Sequence, residues 1–285
     1  VQQIRPSDLE GPDSRERFLA GLPSELFGHI GGNTTCLEVE GSEQDVLVVD
    51  GGTGLRDLGL SHESRGNARH YHVFLTHFHW DHIQGIPFFP GLSNPRNRVT
   101  FYSTVKGFET LIRGQMTEPF FPVPLTVFPA HVSFVELEGQ GPRVIAGTQV
   151  RWKSVNHPGS CVSYRFDRRG RSLIFSTDTE LRLEDFARTQ DNLTFYENAD
   201  VLVLDAQYTL AEAVERPDWG HSSSSVAVDF ALDFGVRTLY LFHHEPDHDD
   251  ASVEAIGRAA QWYSDHKKPG ALTVKLAREG RGGEV

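Results

Sequence analysis

The chain has 285 residues, room for one large domain with a substantial core, and its 38% hydrophobic and 23% charged residues exclude a disordered or fibrous chain. No run of ~18 or more apolar residues and no charged-then-apolar leader appears, and two cysteines, Cys36 and Cys161, are too few for a disulfide framework, so a non-membrane, reducing, cytoplasmic setting is expected. A net charge of −12 argues against a large nucleic acid as partner, since such binding draws on basic side chains that neutralise phosphates.

In chain order, residues 10–25 are mixed polar sequence from which no chemistry is read. Residues 46–50 and 70–75 are apolar runs expected as strands. The second leads straight into Thr76-His77-Phe78-His79-Trp80-Asp81-His82. Three imidazoles and one carboxylate share the six positions from His77 to His82. So many ionisable groups improve no core, whereas neutral imidazole and carboxylate are the usual ligands of zinc and neighbouring metals. His77 and His79, two apart in extended chain, point to the same side. Asp81 and His82, past the bend, are free to address a second position.

Further strands are expected at 99–102 and 132–136, with a helix at 108–114. Residues 88–98 and 117–124 are Pro- and Phe-rich loops. They read as a stiff apolar wall over the metal crevice, as packing on the core, or as a homodimer contact. The second half predicts strands at 150–155, 162–166, 172–176, 201–205, 238–242 and 272–276. Helices are predicted at 183–189, 223–234 and 252–263. Val226, Phe230 and Phe234 recur every fourth residue and give the second of these helices one buried face. Strands first, then alternating strands and helices, suggest a layered α/β sandwich.

His157, Asp178, His221 and His243 each sit at or near the end of an apolar run. Singly, such a residue reads as hydrogen-bonded structure; beside the first cluster, they read as one crevice at a sheet edge. Cys161, four residues past His157, reads as a buried thiol. His29, His62, His70, His72, His131 and His266 have no strand-end company that favours metal binding. Residues 247–250 read as the cap of the last helix, and 277–285 as a frayed tail.

His77-x-His79-x-Asp81-His82, followed by His157, Asp178 and His243, resembles the metallo-β-lactamase-fold hydrolases, and within them the ribonuclease Z and PhnP-like phosphodiesterase branch. Gly31-Gly32-Asn33-Thr34-Thr35, Val49-Asp50-Gly51-Gly52-Thr53-Gly54, His157-Pro158-Gly159, Thr177-Asp178-Thr179-Glu180, Gly220-His221-Ser222 and Phe242-His243-His244 support it. The likeness runs from about Gly31 to Asp250. It implies one α/β domain over residues 1–285, a four-layer αββα sandwich. Relatives open with a strand and a Gly-Thr/Val-Arg-Gly-Ser turn that is missing after Val1, so the N-terminal strand is expected to be trimmed or diverged.

The resemblance further implies two divalent metal ions per chain, Zn2+ first, with Mn2+ or Fe2+ as alternatives. His77, His79 and His157 would hold one; Asp81, His82 and His243 the other; Asp178 would bridge them. Neighbours at a strand end face opposite sides, so only one of His243 and His244 should face the crevice, and the resemblance favours His243. Two such ions about 3.5–4 Å apart ionise a shared water near neutral pH. Asp81 would orient the resulting hydroxide, and His221 would protonate the leaving oxygen. Asp205 is a candidate partner for a ligand histidine.

Relatives that process transfer RNA carry a basic Gly-rich arm, for which no insertion is seen. The expected substrate is therefore a small or cyclic phosphodiester. The alternative is a carbonyl ester, as in a lactonase, thioesterase or β-lactamase-like enzyme using the same site. A di-iron redox centre is discounted because position 79 is His where such relatives carry Glu. A binding module without turnover is the remaining reading.

Overall fold

The computed structural model describes residues 4–20, 30–39, 41–42, 44–64, 66–139 and 141–283; His29, residues 21–25 and the last two residues of the tail lie outside that set. Runs rich in Val, Leu, Phe and Tyr build two sheets. The first orders β1 (Leu37–Val39), β2 (Asp45–Val49), β3 (His70–Phe74), β4 (Arg98–Ser103) and β5 (His131–Glu136) side by side. Only the β1–β2 pair is antiparallel in it. The second sheet places β6 (Arg143–Ile145), β7 (Thr148–Val155), β8 (Cys161–Arg168), β9 (Arg171–Ser176), β10 (Val201–Asp205), β11 (Thr238–Phe242) and β12 (Thr273–Leu276) in sequence order. It is antiparallel from β6 to β9 and parallel from β9 to β12.

Alternation along the strands divides the apolar side chains among three cores. Leu47, Val49, Phe74 and Tyr102 of the first sheet meet Trp152, Tyr164, Phe166 and Phe175 of the second. On the first sheet's other face, Val46, Val48, Val73 and Phe101 pack with Leu55 and Ile112, from α2 (Gly54–Glu63) and α4 (Glu109–Gln115). On the second sheet's outer face, Leu202, Leu204, Leu239 and Leu241 pack with Phe195, Phe230 and Ile256. These come from α5 (Gln190–Tyr196), α7 (Ser224–Asp233) and α8 (Asp250–Lys267). Helix, sheet, sheet, helix is the expected four-layer αββα sandwich. Each fully buried Val, Leu or Phe contributes about 1.5–3 kcal/mol by leaving water.

The expected helix over 183–189 is absent. A short 3-10 turn, Leu183–Phe186, stands there, because the Asp185 carboxylate accepts the Arg182 N–H at 2.8 Å and closes the chain locally. The helix starts later, with Thr189 accepting from the Asn192 N–H. Asp249 caps α8 by accepting from the Ser252 N–H at 2.8 Å. Helices not read from the sequence are α1 (Pro12–Ala20), α2, α3 (Trp80–Ile83), α5 and α6 (Leu210–Glu215). Of the Pro- and Phe-rich loops, Phe89 and Leu92 are core, whereas Phe88 and Phe120 are exposed. Among the described residues no helix is long and apolar enough to cross a membrane.

Candidate metal centre

Residues at and just past the C-terminal ends of β2, β3, β7, β9, β10 and β11 meet in one crevice. Asp178, buried just past β9, is its hub. Its Oδ2 lies 3.5 Å from His77 Nε2 and 3.6 Å from His157 Nε2. Its Oδ1 lies 3.3 Å from His82 Nε2 and 3.4 Å from His243 Nε2. Asp81 Oδ2 spans the second pair, 3.1 Å from His82 and 3.4 Å from His243. His79 sets its Nδ1 3.2 Å from His157 Nε2. The donor atoms fall into two groups, each within 4.8 Å: His77, His79, His157 and Asp178, then Asp81, His82, Asp178 and His243. His244 stays out of both, its ring turned to the backbone of Ala277 just past β12.

The backbone is bent to make this possible. Asp50, Asp178 and His243 hold positive φ angles of 62°, 47° and 59°, each at or near the end of a strand. Such conformations cost non-glycine residues about 1–3 kcal/mol each and gather at functional sites. The kink takes each side chain out of the strand's alternation.

Hydrogen bonds then fix the rings. Asp50, fully buried, accepts from the Thr76 N–H and hydroxyl and from His82 Nδ1, all at 2.8 Å. With its hydroxyl proton spent on Asp50, Thr76 Oγ1 accepts from His77 Nδ1 at 3.0 Å. His157 Nδ1 donates to the Gly220 carbonyl at 3.0 Å. In all three rings Nδ1 is occupied, so Nε2 is the nitrogen that faces Asp178. Gly220 must be glycine here: its φ is +87°, and a Cβ would stand 2.4 Å from His157 Nδ1. Sequence reasoning gave Asp50 no role; the available signal was an acid ending an apolar run before Gly51-Gly52.

Asp205 serves His221 rather than a member of either donor group. Its Oδ2 accepts from His221 Nδ1 at 2.7 Å, while its Oδ1 accepts from the Ser222 N–H at 2.9 Å. The His221 ring stacks on His243, with centroids 5.0 Å apart and planes 14° apart. Asp205, His221 and His243 also bring one donor atom each within 4.8 Å of the others, a group that meets the second one at His243. Cys161 is buried and bonds weakly to backbone carbonyls.

Electrostatics follow from acids and bases packed this tightly. Burial disfavours charge on His243, but Asp178 and Asp81 outweigh it and raise the imidazole to about 9. His82 is likewise buried, and Asp50 and Asp178 push it well above the ordinary value. Asp178 falls below the carboxylate range because His243 and His82 overcome its burial. Burial, with His82 adjoining, lowers His77 to about 2. The fit to cations is visible in two atoms: Nε2 of His77 and Nε2 of His82 are buried without a hydrogen-bond partner. An unsatisfied buried polar atom costs about 1–3 kcal/mol, and a cation between these nitrogens and Asp178 removes that cost.

A family model described as a β-lactamase superfamily domain matches residues 46–244. The chain belongs to the β-lactamase superfamily. The fold of this superfamily implies divalent metal ions, in keeping with the His/Asp groups of the crevice. A ribonuclease Z of Picrophilus torridus is 33% identical over 86 residues, 30% of this chain and 25% of that protein. The match thus spans only a quarter of that relative's length. Among solved structures, the metallo-β-lactamase fold protein YhfI of Bacillus subtilis has a TM-score of 0.63 at 18% identity, covering 89% of this chain and 95% of that one. Yeast PDE1 has a TM-score of 0.64 at 14% identity, covering 89% and 96%. At such identities the two structures speak for the fold of this superfamily member.

Proposed function

We propose that the protein is a dinuclear metal-dependent hydrolase acting on small phosphodiesters. One observation carries this reading: Asp178 presents Oδ2 to His77 and His157, and Oδ1 to His82 and His243, so one acid joins two donor sets. His77, His79 and His157 would hold one ion, Zn2+ first by the preference of imidazole-rich sites, and Asp81, His82 and His243 the other, with Asp178 shared. When bound, two divalent ions supply Lewis acidity for a phosphoryl group and bring the ionisation of water close to neutral pH.

The chain's own side chains do the rest. Asp81, half-exposed at the mouth, is placed to orient the attacking oxygen as well as to hold metal. When the P–O bond breaks, the departing oxygen needs a proton. Asp205 holds His221 Nδ1–H, so the ring's Nε2 is the atom left to deliver it. The exposed Trp80, between His79 and Asp81, offers an apolar surface to the organic part of a substrate. A net charge of −12 favours a small anion drawn in by cations over a long polyanion, while the partial likeness to ribonuclease Z supports phosphodiester chemistry.

The test is a turnover screen of the metal-loaded protein against cyclic nucleotides, linear diesters, a transfer RNA precursor and lactones. Hydrolysis of small diesters is expected. Turnover confined to lactones, or to the transfer RNA precursor, would overturn the reading.

A further inference from the structure

A second His/Asp cluster lies at the other end of the first sheet. Asp45 opens β2 and His70 opens β3, paired in register, and His72 lies two residues along. All three share the sheet face that carries Leu47 and Phe74 into the middle core. The crevice takes the C-terminal ends of these parallel strands, so the cluster sits at the opposite edge. The reading of His70 and His72 as histidines without metal-binding company holds for chain neighbours and fails across strands.

One donor atom from each of Asp45, His70 and His72 lies within 4.8 Å of the others. Asp45 Oδ1 is 3.3 Å from His72 Nε2 and 3.9 Å from His70 Nδ1. Ligands about a tetrahedral zinc, with bonds of roughly 2.0–2.2 Å, sit about 3.3–3.5 Å from one another, so the triangle is near the right size. A hydrogen bond from His72 to Asp45 accounts for one side only. His70 Nδ1 at 3.9 Å is beyond hydrogen-bond reach of that oxygen. A cation inside the triangle satisfies all three donors together.

The far side of each donor is already anchored, as ligand groups generally are. His70 Nε2 is 2.8 Å from Thr100 Oγ1, and Thr100 Oγ1 is 2.9 Å from Ser133 Oγ. His72 Nδ1 is 2.9 Å from the Tyr102 hydroxyl. Asp45 Oδ2 accepts from Ser42 Oγ at 3.3 Å. The two rings lie 3.9 Å apart between centroids. His72 is buried at 6% side-chain exposure, while His70 at 28% and Asp45 at 37% leave the triangle open to solvent. Arg98 and His131 also face His70 and oppose a cation, which favours a metal held by imidazole bonding over one held by charge alone.

We propose that Asp45, His70 and His72 form a third metal site, specific for zinc and neighbouring divalent transition ions, with water completing the coordination. Two imidazoles select against calcium and magnesium, which prefer all-oxygen cages. A cation there ties the first turn of β2 to β3 at the edge remote from the crevice. The inference is independent of the proposed reaction.

The full chain, stripped with chelator and titrated with Zn2+ alone, tests it by elemental analysis and calorimetry. Asp178→Ala, which removes the acid shared in the crevice, is expected to keep one bound zinc. Adding His72→Gln to it should abolish that zinc. His72→Gln alone should lower the zinc content by one per chain while hydrolysis continues. Asp45→Asn should weaken the same zinc by about 10- to 100-fold. If His72→Gln fails to fold by circular dichroism, the more exposed His70→Gln takes its place. An Asp178→Ala protein that binds no zinc, or a zinc content unmoved by the changes at 45, 70 and 72, would overturn the site and leave the crevice reading intact.

Discussion

The two sheets furnish the crevice in opposite ways. The first sends one loop, His77 to His82, in which adjoining residues supply donors to both groups. The second sends single residues, His157, Asp178 and His243, from separate strand ends, with Asp205 and His221 beside them. The loop gains its geometry within the first sheet, from Thr76 and from Asp50 at the end of the neighbouring β2. The second sheet gains its geometry only when β9, β10 and β11 lie side by side in parallel register. A donor set concentrated in one loop is thus completed by an acid that only the packed fold can deliver.

The sharpest way to break that contrast is to remove the acid where the halves meet. Asp178→Ala should empty both crevice positions and lower hydrolysis by at least about a thousandfold, since such ions supply several kcal/mol of transition-state stabilisation. Metal content and rate on an activated diester report it. Retention of both crevice metals would mean that each half binds alone. His221→Ala is next in size. Metal content should hold while the rate falls about 10²–10⁴-fold for substrates with poor leaving groups. The loss should shrink as the leaving group becomes more acidic; a uniform loss across such a series would remove the proton-donor role.

This asymmetry also decides what could be read from the chain. His77-x-His79-x-Asp81-His82 is legible because its donors are neighbours, and the strands on either side show their apolar alternation. Asp50 was illegible as a support. Its task is to receive the Thr76 and His82 protons from another strand, and nothing near residue 50 announces those partners. His70 and His72 were passed over for the same reason, because Asp45 reaches them only through β2–β3 pairing. Helix α2 is not legible because Gly59 interrupts its apolar stripe. Gly59 is required, since a Cβ there would meet Pro90 at 2.6 Å. The helix expected over 183–189 lies about two turns ahead of α5, because local capping by Asp185 competes with apolar periodicity.

A smaller effect separates local support from direct contact. Asp50→Asn keeps the volume but cannot accept from Thr76 twice and from His82 as well, so His82 loses its anchor. Metal affinity at the group containing Asp81, His82 and His243 should weaken about 10- to 100-fold, with the other group nearly unchanged. Competition with a coloured chelator measures both affinities. Equal weakening at the two positions would show that the loop is one unit and not two.

The smallest effect concerns two chain neighbours at the end of the second sheet, His243 and His244. Burial, with His243, His248 and Arg278 nearby, lowers His244 to about 4. Burial opposes charge on His243 too, but Asp178 and Asp81 win and raise it to about 9. An unfolded histidine titrates near 6.5, so the adjacent rings give the metal-free protein opposite pH slopes. Between about 4 and 6.5 the unfolded chain binds more protons at His244. The stability that residue contributes is therefore complete above 6.5 and lost as pH falls toward 4. At His243 the folded chain binds more, so its contribution is complete below 6.5 and lost as pH rises through 9. Each slope is at most about 1.4 kcal/mol per pH unit. Thermal unfolding of the chelator-treated protein should lose the acid slope in His244→Gln and the alkaline slope in His243→Gln. If either change flattens the other's limb, the two rings titrate as one system, and the crevice extends across the strand end to Ala277.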